Sequence, residues 1–225
     1  MKRDRTSLNP IVLQRIKKTF RKKVFQLIYE GYVRLKNNDK DYSQAIEEAI
    51  SHDLKEEIEK FSEDDNLPRK FQQWVQKFSV YCESPISPHG EIGRRRPRLD
   101  IRFRSGERPF PTFVFEAKRL YSASKSADYF GNNGIERFWN ETGYPVNTFG
   151  EAGMLGYIQN KDVTYWIDSL KKQFEKRRGA LHACEHSNWE PAIQIKELQH
   201  TFYTQHQPTG KKEVVIIFHL LLLFR

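Results

Sequence analysis

The chain has 225 residues, enough for one domain with a substantial buried core. Its 38 Lys and Arg residues outnumber its 29 Asp and Glu residues, and the formal net charge of +9 suits a polyanion such as nucleic acid, or an acidic membrane surface. Its two cysteines exclude a disulfide framework and indicate a reducing, cytoplasmic setting.

The N-terminal region is basic and predicts a long helix. Residues 1–10 lack the apolar core of a secretion signal, and residues 10–36 show helical periodicity after Pro10. We interpret residues 1–40 as an N-terminal helical unit and residues 41–225 as the main domain. One side of the helix is either a solvated charged face or an arm that lies along a phosphate backbone. Its cations are Lys17, Lys18, Arg21, Lys22 and Lys23.

A second amphipathic helix is predicted after a polar turn, with Ser43 as its N-cap. At about 100° per residue, Glu47 and Glu57 fall on its apolar stripe. A carboxylate that points towards a core must be paired, neutralised or bound to something, although a salt bridge at the helix edge would also satisfy it. The stripe itself consists of Ile46, Ile50, Leu54, Ile58 and Phe61.

An arginine cluster follows the first predicted strand, residues 78–84. Guanidinium groups can bind phosphates through two parallel hydrogen bonds, so these side chains are candidates for nucleic-acid binding; a solvated turn is the alternative. The cluster comprises Arg94, Arg95, Arg96 and Arg98.

Two apolar segments with strand character come next, residues 99–103 and 113–117, joined by a connection that contains Gly and Pro. Strand alternation turns Asp100 away from the apolar side and puts Glu116 and Lys118 on one face. If the strands pair, three charged groups meet at one end of a small sheet. Such a cluster is costly unless a metal or a substrate uses it.

Metal-assisted phosphodiester hydrolysis is the chemistry that uses such a set. Mg²⁺ takes oxygen ligands at about 2.0–2.1 Å, and Asp100, Glu116 and the carbonyl of Ala117 could supply them, with Mn²⁺ as an alternative ion. Lys118 could hold the attacking water or the scissile phosphate. Arg119 follows directly and is a further candidate for phosphate binding.

The pattern of an Asp on one strand and Glu-Ala-Lys on the next resembles the PD-(D/E)xK nuclease superfamily. The resemblance implies a restriction-endonuclease-like α/β fold, a central mixed sheet flanked by helices. It also implies that Asp100 and Glu116 bind the metal, that Lys118 is catalytic, and that Glu47, with Glu57 in reserve, completes the metal shell. Leu99 stands where the motif has proline.

The C-terminal half predicts three further elements. Residues 149–159 predict a closely packed helix from the spacing of their glycines, similar to the helix that follows the lysine strand in several nuclease families. By that resemblance, Gln159 or Tyr157 of this segment could contact nucleic acid, although core packing is the alternative. Asp162 could cap the next helix. Residues 213–224 predict a strand buried on both faces, in the central sheet or in a dimer interface, and too short to span a membrane.

Together these patterns favour a metal-dependent nuclease that acts on DNA, with restriction or phage defence as a setting by analogy. A homodimer or a subunit of a larger defence complex is compatible with them. The alternatives are a catalytically inactive nucleic-acid-binding module and an interaction subunit with the nuclease fold.

Overall fold

A computed structural model of the chain describes residues 9–85, 98–107, 111–139, 146–147, 149–192, 194–210 and 213–224, with the side chains of 83–85 and 98–99 outside that description. The described residues form an α/β fold. Its helices are α1 Pro10–Lys36, α2 Glu47–Ser62, α3 Arg69–Gln72, α4 Lys125–Tyr129 and α5 Val163–Arg177. Its strands are β1 Phe78–Pro85, β2 Arg98–Ser105, β3 Thr112–Leu120, β4 Glu151–Ile158, β5 Glu190–Pro191, β6 Thr201–His206 and β7 Val215–Leu223. No described helix combines the length and apolar character needed to span a bilayer.

The strands form one mixed sheet of seven strands in the order β1-β2-β3-β4-β7-β6-β5. The predicted strand pair is confirmed, since β2 and β3 are antiparallel with Ile101 opposite Phe115. Strands β3, β4 and β7 are parallel, so their carboxyl ends meet at one edge, where Leu120, Ile158 and Leu223 lie side by side. We call this the carboxyl edge. Ligands of open α/β sheets bind outside this kind of edge.

Helices α1 and α2 cover one face of the sheet. The ring of Phe25 in α1 lies 6.0 Å from that of Phe113 in β3 and 5.5 Å from that of Phe218 in β7. The two helices approach closely at Gly31, where a Cβ atom would lie 2.5 Å from the side chain of Ile58. The predicted N-terminal helix therefore shares the core of the main domain.

The other face is covered by α4, α5 and a 3-10 turn at Ile135–Phe138. The prediction that Asp162 caps the next helix is confirmed, because its Oδ1 accepts a hydrogen bond from the backbone N–H of Tyr165 at 2.7 Å. The predicted C-terminal strand is β7, which lies between β4 and β6 in the central sheet and is largely buried.

The helix predicted at residues 149–159 is wrong, because this segment contains β4, the strand between β3 and β7. Every residue of β4 is buried, and a strand buried on both faces lacks the alternation that identifies strands from sequence. Its glycines accommodate neighbouring side chains. A Cβ atom on Gly153 would lie 2.2 Å from the ring of Phe115, and one on Gly156 would lie 2.7 Å from the side chain of Leu221.

The predicted start of the second helix is also wrong. Helix α2 begins at Glu47 with Ile46 as its N-cap, and Ser43 instead donates its backbone N–H to Oδ1 of Asp41 at 2.8 Å. Short polar side chains compete with helix formation through such local bonds. Ile46 consequently lies outside the apolar stripe and is 57% exposed.

Candidate functional site

The first part of the site forms where the β2–β3 pairing ends. Ile101 pairs with Phe115, and Asp100 precedes it towards the carboxyl edge. Beyond this last pair, a side chain replaces the backbone as the hydrogen-bond acceptor. Oδ2 of Asp100 accepts a hydrogen bond from the backbone N–H of Ala117 at 2.6 Å. This bond fixes the carboxylate beside Glu116.

Helix α2 supplies another carboxylate from the layer above the sheet. Nζ of Lys118 lies 2.8 Å from Oε1 of Glu47 and 2.7 Å from Oε1 of Glu116. Oε2 of Glu47 accepts the backbone N–H of Arg119 at 3.0 Å. Carboxylate oxygens of Glu47, Asp100 and Glu116 all lie within 4.8 Å of one another, and we call these three residues with Lys118 the acidic centre.

The structure thus brings together the predicted residues Glu47, Asp100, Glu116 and Lys118. The reserve residue Glu57 does not join them; it is buried elsewhere on α2, where its Oε1 accepts from Nζ of Lys60 at 2.7 Å.

Burial and mutual repulsion shape the ionisation of the acidic centre. Burial, together with the charge of Glu116, raises the pKa of Asp100 to about 7. Burial also raises the pKa of Glu47, although Lys118 opposes this shift. For Lys118, burial alone would lower the pKa, but Glu116, Glu47 and Asp100 outweigh it and the pKa is raised. Lys118 is therefore a firmly protonated amine among acids that repel one another.

Arg137 is a residue of the site that sequence reasoning missed. It lies in the 3-10 turn at Ile135–Phe138, and its Nη1 donates to Oε1 of Glu116 at 2.8 Å. The only signal in the sequence is a basic residue in an aromatic-rich segment after the lysine strand. Nothing local shows that this turn folds back onto β3.

The donor set fits a hard divalent cation. Oε2 of Glu116 is buried and has no hydrogen-bond partner among the described residues. The carbonyl oxygen of Ala117, the predicted third oxygen donor, lies 2.5 Å from Nζ of Lys118. Carboxylate and carbonyl oxygens are the ligands that Mg²⁺ and Mn²⁺ prefer. Among the described residues, three carboxyl groups meet the two cations Lys118 and Arg137, so their full ionisation would leave a surplus of negative charge that such an ion would offset.

Gln159 lies behind the site as a support. It is 4% exposed, and its Nε2 donates to the carbonyls of Tyr42 at 2.6 Å and Ala45 at 2.8 Å. Its Oε1 accepts from Nε of Arg119 at 2.7 Å. The amide therefore joins Arg119 to the segment before α2, and a direct contact of Gln159 with nucleic acid gains no support. Tyr157 is fully buried, with its hydroxyl 2.9 Å from that of Ser51.

The predicted arginine cluster lies outside the described part of the chain. Arg94, Arg95 and Arg96 are outside it entirely, and so is the side chain of Arg98. No protein-family model, curated protein or solved structure matches the chain. The resemblance to the PD-(D/E)xK superfamily stays a prediction.

Proposed function

We propose that the chain is a metal-dependent nuclease that hydrolyses phosphodiester bonds, with DNA as the expected substrate. The observation that carries the proposal is the convergence of three carboxylates around Lys118 at the carboxyl edge. A scaffold that needed only ion pairs would have no reason to bury more acids than bases in one place. A site for Mg²⁺ or Mn²⁺ needs such a surplus.

The residues divide between metal binding and substrate handling. Asp100, Glu116 and the carbonyl of Ala117 would hold the cation, with Glu47 completing the set. When bound, a divalent cation lowers the pKa of a water molecule and offsets the charge on phosphate oxygens. Lys118 would donate hydrogen bonds to the attacking water or to a phosphate oxygen.

Without a cation in the site, the neighbouring acids raise the pKa of Lys118 and keep it protonated. A protonated amine can orient the nucleophile or stabilise developing negative charge. Arg137 holds the carboxylate of Glu116 in place through its contact with Oε1.

A cleavage assay tests the proposal. The purified chain is incubated with supercoiled plasmid and with a labelled oligonucleotide, in Mg²⁺, in Mn²⁺ and in EDTA. We expect metal-dependent cleavage that falls by about a hundred- to a thousandfold in Asp100→Asn and in Lys118→Met. Lys60→Met is the matched control, because Lys60 also pairs with a glutamate of α2 but lies away from the acidic centre. Undiminished cleavage by the first two variants, or cleavage in EDTA, would overturn the assignment.

The second candidate is a nucleic-acid-binding module that lacks catalysis. The net charge of +9 supports binding without requiring any chemistry. Binding of the oligonucleotide without cleavage in either metal would favour this module over the nuclease.

A further inference from the structure

A small cleft opens beside the acidic centre at the carboxyl edge. Its volume is about 230 Å³. It lies where the N-terminus of α2 faces the end of β3 and the segment that follows. The side chains that matter here are Ile46, Glu47, Lys118, Arg119, Tyr121 and Lys125.

Two large apolar side chains line this cleft and are exposed. Ile46 is 57% exposed and Tyr121 is 38% exposed. The periodicity of α2 predicts Ile46 inside the core, yet the structure puts it at the N-cap, on the surface. A departure from the local pattern beside a candidate active site is where a functional requirement is expected. Exposed apolar side chains that line one concave, otherwise polar site indicate a contact with a ligand.

Two cations lie over the ring of Tyr121. The guanidinium of Arg119 lies 4.5 Å from the ring centre, and Nζ of Lys125 lies 5.5 Å from it. Arg119 is held in turn by Gln159, and Lys125 by Asp128 at 2.6 Å. Tyr121 therefore stands in a fixed position with Arg119 and Lys125 over its ring, and the acids Glu48 and Asp128 also line the cleft. Proteins that bind single strands combine aromatic rings with cations, because bases pack on the rings and phosphates meet the cations.

We infer that the cleft receives one unpaired base of a nucleic-acid strand, packed against Ile46 and Tyr121, with the adjoining phosphates near Arg119 and Lys125. This inference rests on the proposed function and specifies its substrate as a single-stranded or unpaired segment. The cleft is smaller than the roughly 300–1000 Å³ of pockets that enclose drug-sized ligands, so it suits one ring system rather than a whole nucleotide. Inside a duplex both faces of each base are stacked on neighbours and are not available to such a cleft.

A binding experiment in EDTA isolates this step from cleavage. The affinities of the chain for a fluorescent oligothymidine strand and for a blunt duplex of the same length are measured by anisotropy. We expect Tyr121→Ala to weaken binding of the single strand by about tenfold or more, and Ile46→Ala to weaken it by a smaller factor. Duplex binding should change little, and Tyr121→Phe should retain wild-type affinity because the ring remains.

Tyr165→Ala is the matched control, because Tyr165 is 39% exposed but lies on α5. Single-strand affinities that are equal for Tyr121→Ala and Tyr165→Ala would overturn the inference, as would equal losses on strand and duplex. Cleavage that depends on Lys118 but not on Tyr121 would leave the nuclease intact and reject the cleft. Strand binding that depends on Tyr121, without cleavage in any metal, would support the cleft and reject the nuclease.

Discussion

Two buried glutamates of the sheet make the same kind of ion pairs in opposite electrostatic settings. Glu116 of β3 is fully buried and Glu151 of β4 is 1% exposed. In each residue Oε1 lies within ion-pair distance of two cations, and Oε2 has no hydrogen-bond partner among the described residues. The cations are Lys118 and Arg137 at Glu116, and Lys17 and Arg21 at Glu151.

The two settings differ in the sign of the surplus charge. Glu116 shares its surroundings with Asp100 and Glu47, so acids exceed bases among the residues that the structure describes there. Glu151 is one carboxylate beside two cations of α1, and Arg21 also lies 4.7 Å from the ring centre of Phe218. The Glu151 pairs therefore anchor α1 to the sheet. The surplus of acids around Glu116 favours the binding of a metal ion. The surplus of bases around Glu151 favours a purely structural role.

The largest expected effect is on cleavage activity, which should depend on Glu116 and not on Glu151. Glu116→Gln should reduce metal-dependent cleavage by roughly a thousandfold, because it removes a ligand charge from the acidic centre. Its free energy of unfolding should change by less than about 1 kcal/mol, since the substitution balances the remaining charges. Cleavage assays and urea denaturation on the same preparation measure both quantities. A strongly destabilised Glu116→Gln protein would mean that the acidic centre is a scaffold.

The converse substitution tests the other side of the comparison. Glu151→Gln leaves Lys17 and Arg21 half-buried without a counter-charge, so we expect a loss of about 3 kcal/mol in the free energy of unfolding. Cleavage per folded molecule should stay at the wild-type level. Urea denaturation with an unchanged m-value would show that stability alone has altered. Unaltered stability would contradict the anchoring role of Glu151.

Acid should destabilise the fold through a third buried polar cluster, separate from both glutamates, that contains His206 and His219. Oγ1 of Thr204 lies 2.7 Å from Nε2 of His206 and 2.9 Å from Nε2 of His219. Burial lowers the pKa of His206 to about 4 and that of His219 well below its ordinary value.

In the unfolded chain histidine titrates near pH 6.5, so the unfolded state gains protons first as the pH falls. Stability from this source is complete above about pH 6.5 and declines towards pH 4, by about 3 kcal/mol for His206. Urea denaturation across this range measures the slope. His206→Gln should flatten it and the exposed His186→Gln should not; equal slopes in the two variants would contradict the assignment.

The smallest expected effect is stabilisation by the metal itself. Mg²⁺ at about a hundred times its Kd would add about 2.7 kcal/mol, or roughly 5–10 °C in Tm for a chain of this length. Wild type and Glu151→Gln should show this increase relative to EDTA, and Glu116→Gln should lose most of it. Circular dichroism melting curves measure the shift. An equal shift in all three proteins would indicate that the ion binds elsewhere.

Much of the acidic centre follows from local sequence patterns. Alternation along residues 113–118 puts Glu116 and Lys118 on one face, and the short connection to residues 99–103 predicts the strand pair that brings Asp100 beside them. The apolar stripe of α2 likewise directs Glu47 inwards. These inferences succeed because the period of an element and the reach of a short loop are local properties.

Other features depended on partners distant in the chain. The glycines of β4 resemble a helix repeat until the ring of Phe115 and the side chain of Leu221 occupy the space beside them. The basic side of α1 predicts a solvated face or a phosphate-binding arm, yet Lys17 and Arg21 turn to Glu151. Each outcome required knowledge of what packs against the element.

The sequence by itself determined the existence and orientation of the acidic segments, since these follow from strand and helix periods and from a short connection. Only the tertiary structure decided the balance of charge at each buried glutamate, the role of Arg137 and the exposure of Ile46 and Tyr121 around one cleft. The physical reason is that charge balance and exposure depend on neighbours tens of residues or more away, whose approach is set by packing of the whole sheet.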